Sequence, residues 1–302
     1  MNDRRASEQA VSAPSAGRTG FWLAVGVAAI STSPILVRVA AMPALALAFW
    51  RCLAGAVVLA PFAARGPGRR RLHRADLARL ATSGVFLAAH FALWNASLAL
   101  TSVAAATTLV SCTPLFVGLG SGFLGEPPDR RTWTGIVVAT AGAVVIGLGD
   151  AAGSGPGPNP ILGDLLAFAG AAAIAVYLLL GRVVRRRLTL SAYAASVYGT
   201  AAAVLLPACL LTGASLGGYR AGSWLALAGV VVGPQLLGHT VFNGLLASVR
   251  ASVVAVALLL EPVLATLLAW WLFDELPAAL FWVGGPLTLA GVWLATTGRR
   301  RM

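Results

Sequence analysis

Ten long apolar runs separated by short polar joints dominate the chain: 20–41, 43–64, 79–99, 103–124, 132–149, 161–181, 191–213, 222–247, 251–273 and 277–297. A bilayer's hydrocarbon core, about 30 Å thick, takes about 20 residues of helix, and no water inside it can satisfy an open backbone. The pattern therefore predicts an all-α membrane protein of ten transmembrane helices, with few residues left for a soluble domain. The polar segment 1–19, carrying Asp3, Arg4, Arg5, Glu8 and several Ser and Pro, predicts a disordered tail. Arg18 precedes the first run and Ala44-Leu45-Ala46 resembles a cleavage site, but the run is too long for the apolar core of a signal peptide. It reads as the first span.

Composition agrees: of 302 residues, 58% are apolar and 11% charged, whereas about a quarter are charged in an ordinary soluble domain. The net charge is +12, and every basic side chain is Arg. Such an excess would suit a nucleic acid if the arginines lined one face. Instead they fall between the apolar runs. With the N-terminus inside, 19 arginines lie on the inner side, Arg220 alone lies on the outer, and Arg38 and Arg51 lie within runs. Short cytoplasmic loops are enriched in Arg, so both termini are predicted to be cytoplasmic. The partners this implies are anionic lipid headgroups, at ~1 kcal/mol per arginine, and no nucleic acid. Cys52, Cys112 and Cys209 are too widely spaced for a metal site or disulfide framework.

The chain also repeats itself. A shift of 148 residues brings Asn95 onto Asn243, Leu98 onto Leu246 and Pro114 onto Pro262. After one inserted residue, a shift of 149 brings Glu126 onto Glu275, Trp133 onto Trp282, Gly135 onto Gly284 and Gly142 onto Gly291. Five spans per copy is an odd number, so the second copy enters the membrane from the opposite side. The predicted organisation is a tail (1–19), a first five-helix repeat (20–150), an outer Gly/Pro linker (151–160), an inverted second repeat (161–298) and a cytoplasmic tail (299–302). Inverted repeats allow two similar halves to exchange conformations around a midplane site, the architecture of a secondary transporter.

The five-plus-five repeat, the mid-helix kinks at Pro114 and Pro262, and the closing Glu126 and Glu275 resemble the drug/metabolite transporter superfamily in its EamA branch. Ser33-Pro-Ile-Leu-Val-Arg38, Pro43 and Ala48-Phe-Trp-Arg51 resemble that branch's first two helices. The resemblance covers roughly 20–298. It implies efflux of amino acids or similar small metabolites across a bacterial plasma membrane, without a cofactor.

Intramembrane polar groups mark the candidate pathway, because they are costly in lipid. Glu261, beside Pro262 in the ninth span, leads; its repeat partner is the uncharged Thr113, beside Ser111 and Pro114. A coupling role for Glu261 stands against a hydrogen-bonded structural one. Arg51 lies about 12 Å into the second span, where pairing with a carboxylate, snorkelling outward, contact with substrate and a purely structural role all remain open. His90, Trp94, Asn95, His239 and Asn243 supply the donors, acceptors and aromatic surface that a cavity for a polar organic molecule needs. Tyr177, with Tyr193 and Tyr198, is a weaker candidate. Small residues every fourth position, Gly135, Ala139, Ala143 and Gly147, with Gly284, Gly291 and Ala295, predict close helix packing within one subunit or across a homodimer. A lipid-linked carrier or drug exporter is the alternative within transport. An intramembrane hydrolase is the alternative outside it, resting on the elbow-like Gly213-Ala-Ser-Leu-Gly217.

Overall fold

The computed structural model describes residues 16–65, 73–101, 103–151, 158–274 and 276–297. The tail up to residue 15, Arg69 to Arg71, linker positions 152–157, Glu275 and residues 298–302 lie outside the described residues. Every described element is helical, and there is no strand among the described residues. Among the described residues, eight helices are long and apolar enough to cross a membrane, and two shorter apolar helices, Thr108–Leu124 and Phe281–Thr296, accompany them. The surface is correspondingly greasy: Phe123, Leu211 and Trp271 are exposed at 94%, 88% and 78%. A soluble protein does not leave so much contiguous apolar surface in water.

Each predicted run coincides with helix, but four of the ten are broken. The first divides into α1 (Ala16–Ser31) and α2 (Ser33–Ala40), with Pro34 in the first turn of α2. Then come α3 (Ala44–Arg65) and α4 (Arg74–Leu98), the latter starting five residues before the predicted 79. The fourth run divides into α5 (Val103–Val110) and α6 (Thr113–Ser121), with Pro114 in the first turn of α6, and ends in a 3₁₀ turn, Gly122–Leu124. Next are α7 (Arg130–Ala151), α8 (Pro160–Val184) and α9 (Leu190–Thr212). The eighth run comprises α10 (Ala221–Val230), a nine-residue π-helix (Val231–His239) and α11 (Thr240–Leu245). The ninth divides into α12 (Ala251–Leu258) and α13 (Leu260–Phe273), and the chain closes on α14 (Phe281–Thr296). Proline explains the breaks: it lacks the N–H that the helix ladder requires, and its ring crowds the preceding turn.

The two halves match beyond sequence. Both α6 with its 3₁₀ turn and α13 stop at a left-handed residue, Gly125 (φ 68°) and Asp274 (φ 55°), which the 149-residue shift superimposes. The Pro114-to-Glu126 interval is one residue shorter than its counterpart. Three residues of 3₁₀ helix rise about 6 Å, the same as four of α-helix, so the turn absorbs the missing residue.

Contacts between the halves follow a swapped pattern. α7 packs on its counterpart α14 and α3 on its counterpart α9, while α4 packs on α8 and α1 on the π segment, so the first and third spans of each half exchange partners. In the α7–α14 contact, Gly135 abuts Gly291 and Gly142 abuts Gly284, so the helices run antiparallel. A Cβ on Gly291 would lie 2.2 Å from the Ala139 nitrogen. The small-residue stripe is therefore occupied inside one subunit, and of the two predicted uses it is the intramolecular one that the structure contains.

Candidate functional site

The breaks converge. A cavity of about 90 Å³ lies where Ile30 and Ser33 of the α1–α2 break, Ser111, Thr113 and Pro114 of the α5–α6 break, and Leu258, Leu259, Glu261 and Pro262 of the α12–α13 break approach one another. Arg51 of α3, His90, Phe91 and Trp94 of α4, Ile174 of α8 and His239 at the end of the π segment complete the polar and aromatic walls. Both halves contribute.

Arg51 is only 3% exposed. Its Nε donates to Gln235 Oε1 at 2.7 Å, and its guanidinium carbon sits 4.5 Å from the centre of the Phe91 ring. Stacking on an aromatic face and one charge-assisted hydrogen bond hold the guanidinium in place. No ion pair within 4.0 Å joins it to Glu261 among the described residues, although both line the cavity. His90 Nδ1 lies 3.0 Å from the Gly170 carbonyl, so Nδ1 carries the hydrogen and Nε2 is left as an acceptor when the ring is neutral. The ring lies parallel to Trp94, centroids 6.4 Å apart, and His239 meets Phe91 edge-on at 5.8 Å. Thr113 Oγ1 donates to the Val110 carbonyl at 2.7 Å, part of the break itself.

Of the predicted site residues, His90, Trp94, Ser111, Thr113, His239, Glu261, Arg51 and both kink prolines line this cavity. Asn95, Tyr177 and Asn243 do not. Asn95 Nδ2 donates to the Ala44 carbonyl at 3.1 Å, tying α4 to the start of α3. Asn243 is fully buried: its Oδ1 accepts from Tyr177 OH at 2.6 Å, and its Nδ2 donates to Tyr198 OH at 3.3 Å. The repeat-related asparagines therefore do different work, because one faces a helix start and the other faces two tyrosines. Tyr198 OH also lies 3.1 Å from Thr240 Oγ1, which donates to the Gln235 carbonyl at 3.0 Å. A buried polar chain thus runs from Arg51 through the π segment to α8. Gln235 carries it, and the sequence reading passed over this residue; a Pro-Gln pair inside an apolar run was the available signal.

A second polar cluster closes the arginine-rich end. Glu126 takes a two-pronged contact from Arg182, Nε to Oε2 at 3.1 Å and Nη2 to Oε1 at 2.9 Å, and a further hydrogen bond from Arg186. Arg182 Nη1 also donates to the Leu246 carbonyl at 2.8 Å, and Arg185 Nε to the Asn243 carbonyl at 2.9 Å. Arg182 and Arg185 are buried; Arg182 ties the second half to the first through Glu126, and Arg185 ties α8 to α11 within the second half. Partial burial raises the Glu126 carboxyl, but the hydrogen bond from Arg182 and the charges of Arg182, Arg186 and Arg250 outweigh it and hold the group below its ordinary value. Asp129 is also held low, chiefly by the Thr132 N–H, which donates to its Oδ1 at 2.7 Å. Ser215, in the elbow-like sequence, donates to the Gly217 carbonyl at 2.8 Å within its own exposed turn.

Fold and site together define a multi-pass helical membrane protein with a central cavity that mixes charge, imidazole and aromatic surface. The model of the EamA-like transporter family matches residues 18–148 and 161–297, once per half, and the chain belongs to that family. Two proteins of Archaeoglobus fulgidus, each described as an uncharacterized transporter, are similar along most of the chain. One is 25% identical over 268 residues, covering 88% of this chain and 92% of the relative; the other is 28% identical over 260 residues, covering 83% and 86%. A solved crystal structure, 22% identical, shares the fold with a TM-score of 0.79 over 93% of this chain and 96% of that one.

Proposed function

We propose that this family member is a ten-span secondary transporter, built as two inverted five-helix repeats, that exports amino acids or similar small polar metabolites by alternating access. We place it in a bacterial plasma membrane with both termini cytoplasmic. The observation that carries this reading is the cavity itself: helix breaks from both halves wall it, and its polar groups belong to opposite halves. Helices broken by proline beside a shared site suit rocking of one half against the other. The antiparallel α7–α14 contact supports inversion, and the clustering of Arg79, Arg131, Arg182 and Arg187 at one end supports the orientation. An apolar cavity would favour a lipid-linked carrier, whereas Arg51, Glu261 and two histidines favour a polar cargo.

Glu261 is the residue we assign to ion coupling. It is the intramembrane carboxylate of the cavity, it has no counterpart in the first repeat, and its protonation would bias the two states differently. The test is flux of amino acids from proteoliposomes, with and without a pH difference. Glu261→Gln keeps the shape but fixes the neutral form, so pH-driven accumulation should be lost while exchange between equal pools persists. Accumulation retained by the variant would remove Glu261 from coupling, and no flux of any amino acid in the unaltered protein would overturn the substrate class.

A further inference from the structure

Two donors at the cavity have no partner. Arg51 Nη2 and Trp94 Nε1 are both buried and unbonded, although both residues line the same space. A buried donor left unmade costs about 1–3 kcal/mol, more for a charged group, so a fold keeps one where something else completes it. None of the other polar groups lining the cavity bonds either donor. His90 Nδ1 is spent on the Gly170 carbonyl, Thr113 is spent on Val110, and Glu261 is not within ion-pair distance of Arg51. Gln235 meanwhile holds the guanidinium through Nε and leaves Nη2 uncommitted.

We infer that the cavity reads the carboxylate of its cargo, with one oxygen on Arg51 Nη2 and the other on Trp94 Nε1, and that Gln235 is the positioning residue that aims Arg51. A planar carboxylate accepts two N–H donors at once, and a guanidinium edge suits it better than an ammonium does. The space sets the size. At roughly 10–15 Å³ per water-sized position, about 90 Å³ holds on the order of six to nine such positions, enough for an acid of a few heavy atoms in this conformation. The inference rests on the transport reading above and narrows its substrate class to small carboxylates, whether or not they carry an amine.

The test uses the full chain, purified and reconstituted, with four probes of similar size: propionate, alanine, alaninamide and ethylamine. Thermal stabilisation and proteoliposome flux are measured for each. Propionate and alanine should stabilise the protein and be carried, and alaninamide and ethylamine should do neither. Arg51→Lys keeps the charge and loses the planar edge, and should weaken both carboxylates about 10- to 100-fold. Trp94→Phe leaves Arg51 and the packing in place and should weaken them about 2- to 10-fold, which keeps the inference testable if Arg51 variants fold poorly. Gln235→Met should raise the half-saturating carboxylate concentration, and a merely structural role would instead lower thermal stability without changing the ranking of the four probes. If alaninamide or ethylamine is carried as well as the two acids, the inference is wrong while the transporter reading stands. If none of the four is bound or carried, the inference is wrong, and the transport reading is decided separately by the flux of other amino acids.

Discussion

Under the proposed alternating access, the strength of one contact at the arginine-rich end sets how often the protein opens there. Glu126 and Arg182 come from opposite halves, and their side chains are 15% and 9% exposed, so the pair is little screened. Replacing Glu126 with Gln keeps one acceptor oxygen and removes the charge from a two-pronged contact. Hydrogen bonds to charged groups contribute about 1.5–3 kcal/mol, which corresponds to a shift of about 10- to 150-fold in the equilibrium between closed and open ends. Arg186, half-exposed, adds little because solvent screens it. The assay is labelling of a single cysteine at Ser121, 2% exposed at the end of α6 that leads to Glu126, in a background lacking Cys52, Cys112 and Cys209. With an impermeant thiol reagent applied from the cytoplasmic side, the labelling rate follows the open fraction and should rise by that factor in Glu126→Gln.

The pH dependence has a definite sign. The Glu126 carboxyl lies below its ordinary value when the end is closed and returns to that value, ~4.3, when the contact opens. Its contribution is therefore complete above the ordinary value and is lost only as pH falls through the lowered one. Labelling of the unaltered protein should be flat from about pH 8 to pH 5. A change of less than twofold in Glu126→Gln, or a double-mutant cycle with Arg182→Gln that returns no coupling, would refute the idea that this pair holds the end closed.

Two further outcomes follow from the same contacts. Pro158→Cys, exposed just before α8, should label from outside in intact cells, and labelling only after membrane disruption would reverse the orientation. Asn243→Leu strands Tyr177 and Tyr198 in a fully buried site and should lower thermal stability by a ΔΔG of about 2–5 kcal/mol, whereas Asn95→Leu, which forfeits one bond to Ala44, should cost about 1 kcal/mol; equal losses in thermal melts would contradict the different partners.

Hydropathy made the apolar runs visible, and coincident Asn, Pro, Trp and Gly made the repeat visible, because both are properties of residue spacing. Pro114 and Pro262 read correctly as breaks, and with them much of the cavity, since an intramembrane Glu, two His and a Trp are expensive unless they face one another. The asparagines lie outside this cavity. Asn95 and Asn243 occupy equivalent places in the repeat, but their partners are decided by which helix packs opposite, Ala44 of α3 for one and the tyrosines of α8 and α9 for the other. Inverted repeats share a backbone plan and not a set of neighbours.

The π segment shows why the remainder was hidden. A hydropathy window or a 3.6-residue period treats Val231–His239 as ordinary helix, yet there the Thr240 N–H reaches the Gln235 carbonyl, five residues back. Pro234 withholds its own N–H, which favours the wider turn, and π turns gather at functional sites because the widened ladder redirects side chains. At this turn Gln235 is fully buried and its Oε1 meets Arg51. An intramembrane arginine that the sequence leaves open to several roles is thus held by a hydrogen bond from the other half of the molecule. Any movement of that half that disturbs the π turn also moves the guanidinium at the cavity wall, so cargo recognition at Arg51 and the conformation of the eighth run are mechanically one variable.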